Sequence, residues 1–284
     1  FRCFSLMIRN EIFNYRKTLV PLLQRMSNLE KLNLIFQADQ CERFIDGNTL
    51  TTDILQHMTN LKQFSFNIHS QISIRDQIHL LSCNDIQRTF INFKNTQITS
   101  WTDYLMSKQI GQCIAYSHPY SLDYFNNIAN HFPDGLFFQN VTSVSLHDDR
   151  SFEHEFFVRI SQSFPFLKEL DVTNEAPQKK KNSSKFNTIT YPCLTRLCVL
   201  CSHDDYLEQF LLDTKTSLPS NMSLSAACDT LETVTCHFTR SDTKSNCTKF
   251  SSVSVCLEKD KDRNRIDLSN LCHVYFPNAK IDMY

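Results

Sequence analysis

One junction recurs along this chain more than any other pattern. An apolar helical stripe gives way to a short polar or proline-bearing break, and large residues then fall at the first, fourth and sixth positions of an extended run. It is clearest from Ser163 to Asn174, where Phe164-Pro165-Phe166 leads into Leu167, Leu170 and Val172. In such a run positions 1, 4 and 6 turn toward one core, while positions 3, 5 and 7 face the other way. Matching runs start at residues 1, 29, 61, 141, 167, 194 and 231. A unit of one helix and one strand cannot bury its apolar face alone, so the recurrence predicts units stacked on their neighbours.

The first units follow this rhythm closely. Phe1, Phe4 and Leu6 fit the pattern; Leu19, Leu22, Leu23 and Met26 then form a helical stripe, with a start near Val20 and Pro21 in the first turn. Met26-Ser27-Asn28 leads to Leu29, Leu32 and Leu34. Asn48 or Thr49 is the expected N-cap of the next helix, which carries Leu50, Ile54, Leu55 and Met58 and leads to Leu61, Phe64 and Phe66. The interval from 61 to 141 is more than twice any other. Within it, Gln97 to Leu105 and Gln112 to Ser117 read as strands of degenerate units or as a hairpin insertion, and Tyr124 to Phe132 as a helix starting near Asp123.

The rhythm returns at Val141, Val144 and Leu146, then at Leu167 and at Leu194, Leu197 and Val199. Leu231, Val234 and Cys236 give a seventh match, Phe250, Val253 and Val255 a weaker one, and Phe276-Pro277-Asn278 one more helix-to-strand junction. Residues 175–187, with Pro177, Lys179 to Lys181 and two serines, read as a mobile loop, and Glu258 to Arg265 as a charged one. The expected organisation is therefore N-terminal repeats over 1–69, an irregular or inserted region over 70–138, and C-terminal repeats over 139–284. The opening on Phe1, inside an apolar segment, reads as a fragment that begins within the first domain.

Composition excludes several chemistries. The 284 residues contain three glycines, Gly47, Gly111 and Gly135, where average usage is roughly 7%. Phosphate-binding loops, the dinucleotide fingerprint and the nucleophile elbow each need several glycines close together. A net charge of −1 supplies no global attraction to nucleic acid or anionic lipid. No apolar run approaches the ~20 residues of a membrane span, and no signal peptide is recognisable. The 12 cysteines are too sparse for a disulfide-stapled scaffold and suit a reduced, cytoplasmic or nuclear setting. Sequons occur at Asn140, Asn182, Asn221 and Asn246.

At Met26-Ser-Asn-Leu-Glu-Lys-Leu-Asn-Leu34, Phe164-Pro-Phe-Leu-Lys-Glu-Leu-Asp-Val172 and Tyr191-Pro-Cys-Leu-Thr-Arg-Leu-Cys-Val199 the chain resembles the leucine-rich-repeat part of F-box proteins. The block from Phe132 to Pro177, with Phe152-Glu-His-Glu-Phe-Phe157, is similar to a divergent, uncharacterised group of such proteins. The resemblance implies an α/β leucine-rich-repeat-like solenoid, with parallel strands on the concave face and helices on the convex face. It also implies the substrate-binding region of a cullin-RING ubiquitin ligase receptor, which would meet the ligase adaptor only through an F-box preceding Phe1. An ordinary α/β domain with crossover helices is the competing fold. A ligase-independent repeat scaffold or inhibitor is the competing function.

Other constellations have plain readings. Cys193, Cys198, Cys201 and His203 include a Cys-x-x-Cys, but three-residue spacing on a strand points its thiols to opposite faces, so no metal is expected. The triplets His147-Asp148-Asp149 and His203-Asp204-Asp205 each precede an apolar helix and read as caps. Lys179 to Lys181 with Lys185 reads as a solvated run, and Phe152, Phe156, Phe157 and Ile160 as core. A pocket lined by His147, His154 and Glu155 would point instead to an enzyme. The expectation is a non-enzymatic chain without cofactor. Its protein partner meets Lys31, Asn33, Gln63, Ser65, Asn67, Ser143, Ser145, His147, Glu169, Asp171, Thr173, Arg196, Thr233 and Thr235, the outward positions of the strands. Few of these are cationic, which disfavours a nucleic-acid backbone.

Overall fold

A computed structural model describes residues 2–75, 77–93, 96–180, 187–257 and 265–284. The chain forms two compact units, one of residues 1–121 and 131–133, the other of residues 122–130 and 134–284. The expected match at Phe1, the sequon at Asn182, Lys181 and Lys185 of the basic run, and residues 258–264 of the charged loop lie outside the described residues.

In the first unit β1 (Cys3–Phe13) leads through the short helices α1 (Tyr15–Thr18) and α2 (Val20–Gln24) to β2 (Lys31–Cys41). Pro21 stands in the first turn of α2, where its missing amide costs nothing. Then α3 (Gly47–Asp53) leads to β3 (Gln63–Ser73). The N-cap of α3 is Asp46, whose carboxylate accepts from the Thr49 amide; Asn48 and Thr49, expected to cap, lie inside the helix. These three strands are parallel, with Leu32 beside Phe64 and Leu34 beside Phe66. Next come α4 (Cys83–Thr89), β4 (Ile98–Leu105) and β5 (Ile110–Ser117). The last two form an antiparallel hairpin whose second strand runs antiparallel to β3, giving the order β1-β2-β3-β5-β4. Of the two readings of this region, the hairpin is the one observed. Gly47 is required where α3 meets α4, because a Cβ there would sit 2.3 Å from the Thr89 carbonyl oxygen.

The second unit holds a parallel sheet of β6 (Tyr124–Ile128), β7 (Ser143–His147), β8 (Glu169–Asn174), β10 (Arg196–Ser202), β12 (Met222–Ala227), β13 (Phe250–Cys256) and β14 (Lys280–Met283). A separate parallel pair joins β9 (Ile189–Thr190) to β11 (Thr216–Ser217). The sheet's spatial order follows chain order without reversal. Between its strands run α5 (His154–Ser163), α6 (Asp204–Leu211), α7 (Cys228–Val234), α8 (Lys244–Cys247) and α9 (Arg265–Tyr275). Burial alternates along β7, β8 and β12, so one face of the sheet is covered and the other more open; on β10 Leu197, Cys198 and Val199 are all buried. One covered row runs Phe125, Val144, Leu170, Leu197, Leu224 and Val253. The helices contribute Phe156, Phe157, Ile160, Leu207, Phe210 and Leu211 to this unit's core, each burial worth roughly 1.5–3 kcal/mol.

One backbone device recurs in both units. At several strand starts a single carbonyl accepts two successive amides of the next strand: Arg2 from Glu30 and Lys31 (2.7 and 3.0 Å), and Glu30 from Lys62 and Gln63 (2.8 and 3.0 Å). In the second unit Asp123 serves Thr142 and Ser143, Thr142 serves Lys168 and Glu169, and Lys168 serves Thr195 and Arg196.

The structure corrects several expectations. Residues 124–128 form a strand where a helix was expected: Phe125 pairs beside Val144, Ile128 beside Leu146, and Asn127 takes a left-handed φ of 57°. Leu231 and Val234 lie on α7, because a spacing of three is as good for a helix face as for this strand cadence. Among the core residues expected, Leu61 and Phe64 are only half-buried. The start of the expected mobile loop is tied down: the Gln178 amide donates to Asp205, and those of Lys179 and Lys180 to Glu153.

Candidate outer-face recognition site

The open face of the second unit's sheet is built of aligned rows. Ser143, Glu169, Arg196, Ser223, Ser252 and Lys280 stand in one register line, and Ser145, Asp171, Cys198, Ser225, Ser254 and Asp282 in the next. His147 pairs beside Thr173. Ser143 Oγ donates to Glu169 Oε2 at 3.3 Å, and Arg196 stands 4.0 Å from the same carboxylate oxygen. Glu169 and Arg196 are exposed, and Ser143, Ser145, His147, Asp171 and Thr173 are half-buried. The Cys198 thiol is pushed up by burial and by neighbouring Asp171, which keeps it protonated and suits it to a hydrogen-bonding surface rather than a nucleophile.

In the first unit the same positions give a shorter surface. Asn33 bridges its neighbours, donating to Ser5 Oγ at 3.1 Å and accepting from Ser65 Oγ at 3.0 Å. Lys31 and Gln63 are exposed at the strand starts, and Asn67 is half-buried beside Tyr116. Beyond Asn67 the outer face is covered. Trp101 meets Phe132 and Tyr116 edge-to-face at 5.6 and 6.3 Å, and all three are buried. Asp103 is buried there too, accepting from the His131 amide at 3.0 Å. His69 is 8% exposed; burial pushes its imidazole down to about 4, against a hydrogen bond with Gln112 that acts the other way.

Twelve of the fourteen expected contact residues therefore lie on strands at outward positions. The other two do not: Thr233 is exposed on α7, and Thr235, fully buried, donates to the Leu231 carbonyl and accepts from the Phe238 amide. The strand preceding α7 is β12, whose outward residues include Ser223 and Ser225. Its sequence Met-Ser-Leu-Ser-Ala-Ala has few large residues for the cadence to catch. Ser252 and Ser254 lie on β13, the weaker match, and Lys280 and Asp282 on β14, which follows the junction at Phe276-Pro277-Asn278; neither pair was among the expected contacts.

The remaining constellations resolve into structure. Asp148 and Asp149 do not cap α5, whose N-cap is Glu153. Burial opposes ionisation of Asp148, but the Asn130 amide and the Arg150 guanidinium outweigh it and hold the carboxyl below its usual range. In the second triplet the cap is His203, whose side chain accepts from the Asp205 amide. His154 is buried between Gln209 Oε1 and the Asn187 carbonyl, while Glu155 is exposed. Asn246 is buried and donates to the Phe210 and Thr216 carbonyls, which closes its sequon to modification.

Cys198 is buried and Cys201 exposed, with a break in strand register between them. Among the described residues, ligand atoms converge within 4.8 Å at Cys228, Asp229 and Glu232 on α7, where Asp229, in the first turn, complements the helix dipole. A 570 Å³ pocket of the first unit is lined by Cys41, Glu42, Ser73, Gln77, Ile78 and His79. Burial and Asp39 push the Cys41 thiol up to about 11, away from nucleophilic chemistry. Among the described residues no helix is long and apolar enough to cross a membrane.

No known family, curated protein or solved structure matches this chain.

Proposed function

We propose that the chain is a protein-recognition scaffold and that the second unit is a leucine-rich-repeat-like solenoid whose open sheet face takes the partner. The observation that carries this reading is the pair of aligned outer rows, from Ser143 and Ser145 to Lys280 and Asp282, set opposite fully buried apolar rows. Chain-order strands support the solenoid, since the order of a doubly wound sheet reverses partway across. The rows offer hydroxyls, a thiol, the acids Glu169 and Asp171 on β8 beside the base Arg196, and Lys280 with Asp282 at the far end, which suits a hydrogen-bonded protein surface. Repeat folds use extended faces of this kind for binding. The role of substrate receptor in a cullin-RING ligase, in the cytoplasm or nucleus, rests on the sequence resemblance alone. An F-box encoded upstream of these residues would support it, and a ligase-independent scaffold is the reading otherwise.

The test is site-specific photo-crosslinking from lysate. A photoreactive residue at Ser145, Arg196 or Ser225 is expected to capture one and the same protein, and the purified protein to rebind. Probes on the exposed helical positions Glu155 and Thr233 are expected to capture none. Capture from the helical positions alone would refute the sheet-face reading.

A further inference from the structure

The charges on the open face of the second unit's sheet do not balance, and the imbalance sits on one residue. The two outer rows carry five charged side chains: Glu169, Arg196 and Lys280 in one, Asp171 and Asp282 in the other. Four of them pair with one another. Arg196 stands 4.0 Å from Glu169, which also accepts from Ser143, and Lys280 lies 3.0 Å from Asp282. Asp171 is the fifth, and among the described residues it has no ion-pair partner.

The surroundings of Asp171 suit a cation brought from outside. It is half-buried, so its charge is screened less than that of a fully exposed carboxylate. Its neighbours in the row are Ser145 on β7 and Cys198 on β10, both short side chains. The Cys198 thiol, kept protonated by burial, hydrogen-bonds to Asp171 but brings no charge. A half-buried carboxylate has lost part of its hydration without gaining a counter-charge, which a partner can bring. The row continues with Ser225 and Ser254, so a long side chain, or the main chain that bears it, can approach closely.

We propose that the partner of this face is a polypeptide that seats one lysine or arginine on Asp171, the stem of that side chain lying along the short residues of the same row. This rests on the sheet-face reading above and adds to it the chemistry of the partner's contacting segment. An ion pair at a wet surface contributes little, but one enclosed by an interface discriminates against a partner that lacks the cation. Asp171 therefore sets specificity, and Glu169, already beside Arg196, is secondary.

The experiment takes the protein captured by a photoreactive residue at Ser225, purifies and labels it, and titrates it with the full chain by anisotropy. Asp171→Asn, which keeps an acceptor for the Cys198 thiol, should weaken binding about tenfold with an unchanged denaturation midpoint, and Glu169→Gln less than about threefold. Asp171→Glu should retain most of the affinity. Raising salt from about 0.05 to 0.5 M should weaken the unaltered chain several-fold and Asp171→Asn hardly at all. Reversing one lysine or arginine of the crosslinked peptide to glutamate should restore binding to Asp171→Lys. Equal affinity of Asp171→Asn and the unaltered chain, or a crosslinked peptide without lysine or arginine, would overturn this inference and leave the sheet-face reading standing. Failure of Ser225 to capture any protein would overturn both.

Discussion

The two sheets share a cadence and differ on their outer faces. In the second unit the two aligned outward rows from β7 to β13 carry small or charged residues, and all of them but Cys198 keep part of their surface exposed. In the first unit the outward positions begin the same way, with Ser5, Asn33 and Ser65, then change to Tyr116, Ile114 and Trp101 on the hairpin, where they are buried. The inner face of both sheets is set by the recurrent large residues. The outer face is set by residues between them, which the cadence leaves free, so one architecture carries an open surface in one unit and a second apolar layer in the other.

That contrast can be broken at its covered side. Trp101→Ala should destabilise the first unit by about 3–5 kcal/mol, as loss of a large buried aromatic does, whereas Ser225→Ala on the open face should stay within about 0.5 kcal/mol. Denaturant titration with a probe in each unit reads both; equal costs would mean that the two outer faces are alike.

Acid sharpens the contrast with a smaller effect. The His69 imidazole sits at about 4 in the fold against 6.5 in the unfolded chain. Between those values the unfolded chain binds the extra proton, so the contribution is fully present above 6.5 and lost as pH falls toward 4. The loss is about 3 kcal/mol at most. Asp148, in the second unit, is held below its usual range, so its contribution is lost only at more acidic pH. Hydrogen exchange should therefore show the first unit loosening first between pH 6.5 and 4, and His69→Gln should suppress it. Simultaneous loosening in His69→Gln and the unaltered chain would contradict this.

Much of the inner architecture was legible because large residues at fixed spacing leave few ways to be buried. Leu32, Leu34, Leu170, Val172, Leu197 and Val199 all sit in adjacent parallel strands as the cadence implies. The errors have physical causes. Phe125, Ile128, Ala129 and Phe132 fit a helical stripe, but pairing with β7 and the left-handed Asn127 hold residues 124–128 extended. Leu231 and Val234 fit strand and helix equally, and β12 hides behind serines and alanines. The covered outer face of the hairpin was not legible, since nothing local links Trp101 to Phe132, which arrives thirty-odd positions later in the chain.

The central claim is that the open face of the second unit carries recognition, and the most direct measurement is charge reversal at its acidic end. Glu169→Lys with Asp171→Lys alters one exposed and one half-buried outward residue on β8. The double variant should keep its denaturation midpoint within the equivalent of about 0.5 kcal/mol, since outward substitutions of this kind leave the core intact. Affinity for the partner captured by crosslinking should fall by a factor of ten or more, roughly the cost of setting like charges against a complementary surface. Unchanged affinity in a folded double variant would contradict the account and move recognition off this face.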